Sequence, residues 1–119
     1  MTPTLHDGVY AFCLLAHGSE VQSFAPVVTV VEDEGISVIV PEETALAEGW
    51  AVRFRAAWIT LTVHSDLQAV GLTAAFASAL ASAGISSNVV AGVFHDHIFV
   101  PTELGQQALG VLWALQRQT

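Results

Sequence analysis

The strict alternation Trp58-Ile59-Thr60-Leu61-Thr62-Val63-His64, followed at once by Ser65-Asp66-Leu67-Gln68, constrains this chain more than any other stretch. In an extended strand Ile59, Leu61 and Val63 share one face, and Thr60, Thr62 and His64 share the other. That pattern suits a sheet buried on one side only. Ser65 followed three residues later by Gln68 matches a capping box, so a helix is expected to begin where the strand stops. Its buried stripe is predicted to run through Leu72, Phe76, Ala79, Leu80 and Ala83, with Gly84 as the stop.

Two further runs, Asn88 to Phe94 and His97 to Val100, read as a hairpin turning near His95-Asp96. Pro101-Thr102-Glu103 then opens a last helix with Leu104, Ala108, Leu112 and Leu115 on one face. From Trp58 onward the order is β-α-β-β-α, a split βαβ plan lacking its final strand.

The first half is richer in strands. Val9 to Leu15 is a short strand, and His17 to Pro26 carries the Gly, Ser and Pro of a loop. Val27 to Val31 and Ile36 to Val40 form a hairpin across Glu32-Asp33-Glu34-Gly35, with Gly35 available for a positive φ. Pro41-Glu42-Glu43 starts a short helix that Gly49 ends. The expected fold class is α+β, antiparallel sheet with helices on one side, and the N-terminal strands are expected to complete the sheet the second half leaves open. The chain divides into an N-terminal half, 1–55, and a C-terminal domain, 56–119.

Composition narrows the function. The 119 residues include no lysine, three arginines (Arg53, Arg55, Arg117) and a net charge of −8. Such a chain cannot build a phosphate-tracking surface, so nucleic acid is not an expected partner. Mean hydropathy is +0.59, high for so small a protein, and 53% of residues are hydrophobic. The apolar excess points to a self-association face, hence a homodimer, with Trp58 and Trp113 as candidates for the buried surface. No apolar stretch is long and uninterrupted enough to span a membrane. The first residues lack the pattern of a signal peptide, and Cys13 is the single cysteine. A cytoplasmic location is therefore expected.

Ile59 to Val63, the segment His64-Ser65-Asp66-Leu67-Gln68-Ala69-Val70-Gly71-Leu72-Thr73 and the run Ile85 to Pro101 resemble a known group. Within it, Ser87-Asn88-Val89-Val90-Ala91-Gly92 and His95-Asp96-His97-Ile98-Phe99-Val100-Pro101 are the most specific. Tyr10-Ala11-Phe12-Cys13 and Glu34-Gly35-Ile36 extend the likeness into the first half. The group is the small bacterial ACT-domain proteins of unknown function that carry two ACT-like halves. They are similar to the ACT regulatory region of aspartate kinase and to the cytosolic arginine-sensor proteins of animals. Two positions depart from the pattern: Val30-Val31-Glu32 lacks a basic residue, and Ser87 stands where cysteine is frequent. The resemblance implies ferredoxin-like βαββα units and a non-catalytic regulatory or sensor module. It would bind an amino acid or similar metabolite at a dimer or inter-domain interface.

The turn chemistry agrees with that implication. A helix N-terminus offers unpaired N–H groups to a carboxylate. Ser65 and Asp66 lie in that turn, where Asp66 can receive an α-ammonium group. Val70, Gly71 and Leu72 follow, Gly71 having no side chain to keep a ligand or helix away. Asn88 and Val89 lie on the adjacent strand, Asn88 with both a donor and an acceptor. The plainer reading is that Ser65 and Asp66 only cap a helix, Gly71 packs, and Asn88 ends a loop.

His95 and His97 project to the same face of a strand and could begin a metal site, with His64 or Asp66 as third ligand. That would make a small metal-dependent enzyme. The characteristic spacing of a third ligand is missing, so no metal, no other cofactor and no catalytic residue are assigned; Asp96 is expected to serve the hairpin turn. Cys13 lies in a strand expected to be buried and inert. His64 and Ser65 are neighbours whose side chains diverge, so they form no nucleophile–base pair.

Overall fold

The computed structural model describes residues 2–62 and 71–117. In chain order the strands are β1 (Thr2–Leu5), β2 (Tyr10–Leu15), β3 (Val28–Glu32), β4 (Gly35–Pro41), β5 (Phe54–Thr62), β6 (Asn88–Ala91) and β7 (His95–Pro101). The helices are α1 (Glu42–Glu48), α2 (Leu72–Ser82) and α3 (Gly105–Arg117), with 3-10 turns at Val21–Phe24 and Thr102–Leu104. Two compact units result, one of Gly8–Ala56 and one of Met1–Asp7 with Ala57–Thr119.

In the first unit the strands run β3-β4-β2-β5, all antiparallel. Register follows the apolar alternation, since a slip of one residue would turn every core side chain to the wrong face. Ala11, Cys13 and Leu15 pair with Val40, Val38 and Ile36. These six and Ala45 of α1 are the unit's buried core, with Val21, Trp50 and Val52 packed against it. Helix α1 starts and stops as its sequence predicts: Glu42 and Glu43 occupy the first turn, and Gly49 closes it in the left-handed conformation with φ 70°. Glu42 is held by a two-pronged ion pair from Arg55, which keeps its carboxyl below the usual range. Gly35 has φ 153°, and a Cβ there would lie 2.5 Å from the Leu15 carbonyl oxygen, so close backbone approach as well as conformation requires glycine.

In the second unit the order is β1-β5-β7-β6. The closing strand comes from the N-terminus: β1 pairs antiparallel with β5, Thr2 opposite Thr62 and Leu5 opposite Ile59. The expectation that N-terminal residues complete this sheet holds, although Thr2–Leu5 itself does not read as a strand. Proline in the run hid it, and the edge of a sheet is where a strand tolerates proline. Ile59 and Leu61 of β5, Phe76 and Leu80 of α2, Ile98 and Val100 of β7, and Ala108 and Leu112 of α3 are all fully buried in one cluster. Burying each large side chain stabilises by about 1.5–3 kcal/mol.

Three local expectations change. Helix α2 begins at Leu72, because Gly71 has φ 100° and ψ −38° and is not helical; Ser65 to Gln68 lie outside the described residues. Ala83 is exposed and caps α2's end instead of joining its buried stripe. The hairpin turns at Gly92-Val93-Phe94, and His95-Asp96 belong to β7, where Asp96 pairs with Ala91. Placing Ile98 and Val100 in the core sets the register, and the β-forming Val93 and Phe94 are left in the turn, 71% and 77% exposed. No helix among the described residues is long and apolar enough to cross a membrane.

Candidate functional site

Of the residues expected to bind a ligand, Ser65, Asp66 and Val70 lie outside the described residues, as does His64. The others separate. Gly71 precedes α2 in a conformation that side chains resist, and a Cβ there would meet nothing within 4 Å among the described residues. Its positive φ accounts for the glycine. Leu72 and Val89 are half-buried against the core. Asn88 pairs with Phe99 and is exposed. Because paired residues share a face and neighbours alternate, Asn88 stands on the helix-free side of the sheet and Val89 on the side of α2 and α3.

That helix-free face of the second unit carries a polar cluster built from three strands. Trp58 and Thr60 alternate with the buried Ile59 and Leu61 of β5. His97 alternates with Ile98 on β7, and His6 follows β1, its N–H donating to the Trp58 carbonyl at 2.9 Å. The His6 ring stacks on the Trp58 indole with centroids 3.5 Å apart and planes 9° from parallel. Its Nε2 lies 2.7 Å from the Thr60 hydroxyl. The indole Nε1–H of Trp58 donates to Nδ1 of His97 at 3.1 Å, and Thr60 Oγ1 is 3.3 Å from the same nitrogen.

An indole N–H can only donate, so Nδ1 of His97 accepts and the neutral ring carries its proton on Nε2. Burial pushes both histidines below the usual imidazole range. For His6 the charge of His97 adds to that lowering and Asp7 opposes it. For His97 the charge of His95 adds and Asp96 opposes. The cluster therefore favours neutral imidazoles, which position groups and exchange hydrogen bonds.

His95 and His97 share a face as expected, with ring centroids 6.5 Å apart. Among the described residues, no three His, Cys, Asp or Glu side chains group to hold a metal. The third ligands considered from sequence, His64 and Asp66, lie outside those residues. Cys13 is buried, and burial raises its thiol pKa. Trp113 is 36% exposed on α3, whereas Trp58 is engaged by the histidines.

ACT-domain family models match residues 1–57 and residues 53–113. The chain belongs to the ACT-domain family. A Vibrio cholerae protein of unknown function, described as a possible transport protein, is similar at 46% identity, with a TM-score of 0.87 over 96% of this chain and 88% of that one. An Agrobacterium tumefaciens protein shares the fold at TM-score 0.72 and 16% identity, over 96% of this chain and 87% of that one. The regulatory subunit of aspartate kinase from Thermus flavus shares it at TM-score 0.67 and 14% identity, over 97% of each chain. No curated protein matches the sequence.

As an ACT protein the chain shows the family plan in both units: the strand that closes each sheet pairs with that unit's first strand. Sequence reasoning missed His6 and Thr60 as members of the cluster. The signal was present in Thr2-Pro3-Thr4-Leu5-His6, where Pro3 and Leu5 face inward and the polar residues alternate with them. Trp58 and His97 were noticed separately, as an interface residue and a metal candidate, because no local pattern joins residues 39 apart.

Proposed function

We propose that this ACT protein is a non-catalytic regulatory or sensor module that binds an amino acid or similar small metabolite. The observation that carries this is the duplication: two units on the ACT plan, each matched by an ACT-domain family model. The ligand's carboxylate would meet the backbone N–H groups around Ser65 and Asp66, with Asp66 taking the ammonium group. Gly71, lacking a side chain, fits that role; Asn88 is exposed on β6, which pairs with β7 and not with β5, so its expected place on the strand adjacent to the turn does not hold. Val70, Leu72 and Val89 would supply apolar contact.

We further propose a homodimer, supported by the exposed Val31 at 73%, Val93 at 71% and Phe94 at 77%. The same side chains support a second reading, an interaction module that has kept the ACT fold without a ligand. A cytoplasmic setting accords with the single, buried cysteine.

A thermal-shift screen of amino acids, nucleotides and organic acids tests the proposal. A ligand present at a hundred times its Kd should stabilise by about 2.7 kcal/mol, a shift of several degrees. Asp66→Ala should abolish the shift. A panel without any shift, combined with a silent Asp66→Ala, would favour the interaction module, and native mass spectrometry showing no co-purified small molecule would agree.

A further inference from the structure

The first unit holds a groove that the ligand site proposed above does not use. In the second unit the chain after the first strand forms α2, eleven residues long. At the corresponding place the first unit has only the four-residue 3-10 turn Val21–Phe24. The shorter element leaves an open groove of about 420 Å³ beside the end of α1, lined by Ser19, Glu20, Ser23, Phe24, Glu48 and Trp50 above Leu15. That volume is within the range of small-ligand sites, roughly 300–1,000 Å³.

The lining is chemically one-sided. Ser19 donates its hydroxyl proton to the Ala16 carbonyl at 2.7 Å, and Ser23 donates to the Glu20 carbonyl at 2.8 Å. Each serine has spent its proton on the backbone and can offer only acceptor lone pairs. Glu20 and Glu48 contribute carboxylates, which accept. Phe24 and Trp50 meet edge to face with centroids 4.7 Å apart, placing aromatic surface in the wall. The Trp50 indole N–H is the one side-chain donor in this set. Trp50 is fixed by its backbone N–H, which donates to the Ala45 carbonyl at 3.0 Å.

The surroundings strengthen the bias. Between Gly8 and Ala56 there are seven carboxylates and two arginines, and Arg55 is engaged by Glu42. The C-terminal end of α1, with its outward carbonyls, lies at Glu48. The turn carrying Ser23 and Phe24 ends in Ala25 at φ 48°, the single positive-φ non-glycine among the described residues. Side chains resist that conformation, and such strain gathers at binding sites.

Carboxylates, hydroxyl lone pairs and aromatic surface together suit a cation with an apolar stem. We propose that this groove binds a small organic cation, a primary amine or guanidinium on a short aliphatic chain. Charge would lie toward Glu20 and Glu48, and the stem would lie along Trp50 and Phe24. The groove shares no residue with the ligand site proposed above, so either proposal can fail alone.

Isothermal titration calorimetry on the full chain tests it, with agmatine and putrescine as ligands and 1,4-butanediol and glutarate as uncharged and anionic controls. Saturable binding of at least one amine is expected, with none for either control. The double variant Glu20→Gln/Glu48→Gln should weaken it tenfold or more while keeping the wild-type melting temperature, because both glutamates are exposed. Asp66→Ala should bind the amine as the wild type does. No saturable heat with either amine, diol binding as tight as amine binding, or a loss below tenfold in the double variant would overturn the proposal. So would loss of amine binding in Asp66→Ala.

Discussion

Trp58 donates its indole N–H to Nδ1 of His97 across two strands at 3.1 Å, and that bond requires His97 to be unprotonated at Nδ1. A proton there would set two donors against each other. His6, stacked on the same indole, is the more tolerant partner, because a protonated His6 can still donate to the Thr60 hydroxyl.

Stability should therefore fall as the solution is acidified. Both imidazoles have folded pKa values below the unfolded value of about 6.5. The unfolded chain then binds more protons in that window, so stability rises with pH. The contribution is complete above the unfolded value, is lost as pH falls below it, and levels off beneath the folded pKa values. Urea unfolding between pH 5 and 8 should show this slope, and His97→Gln should flatten it.

Thr60→Val tests the hydroxyl that lies between the two histidines. It preserves shape and removes the group 2.7 Å from His6 Nε2. Leaving that nitrogen without its partner should cost about 1–3 kcal/mol. Thr60→Ser retains the hydroxyl and should keep most of the stability that Thr60→Val loses. Equal stability of all three proteins would show that this hydroxyl contributes nothing to folding.

Gly35→Ala should destabilise the β3–β4 hairpin. Conformation and space both oppose the change, with φ at 153° and the Leu15 carbonyl oxygen 2.5 Å from the new methyl group. A loss of more than about 1 kcal/mol is expected by chemical denaturation. Faster amide exchange in Val31 and Ile36 should accompany it.

Phe94→Ser separates stability from association. The ring is 77% exposed in the β6–β7 turn, so folding stability should change by less than about 0.5 kcal/mol. If the turn lies in a dimer interface, sedimentation velocity should show a shift toward monomer. An unchanged sedimentation profile would place any dimer contact elsewhere.

Much of the fold was legible because it is written locally. The alternation at Ile59 and Leu61, the hairpin around Asp33-Glu34 and the Pro41-to-Gly49 helix each depend on residues within one short window. The hairpin turn before His95 was misplaced because Val93 and Phe94 have strand-forming side chains. Their place was decided by Ile98 and Val100 entering the core. For the candidate site, Trp58 and His97 could each be named in advance, but the cluster that joins them to His6 and Thr60 could not.

By itself, then, the chain determined most of its elements, its α+β class and the faces those strands bury. Only the tertiary structure decided that Thr2–Leu5 closes the second sheet and that His6 meets Trp58 and Thr60, which also hold His97. The physical reason is range. Periodicity is set by the geometry of adjacent residues, whereas strand pairing is settled by burial summed over the whole unit. His6 and Thr60 stand 54 residues apart, and no local pattern records that they will touch.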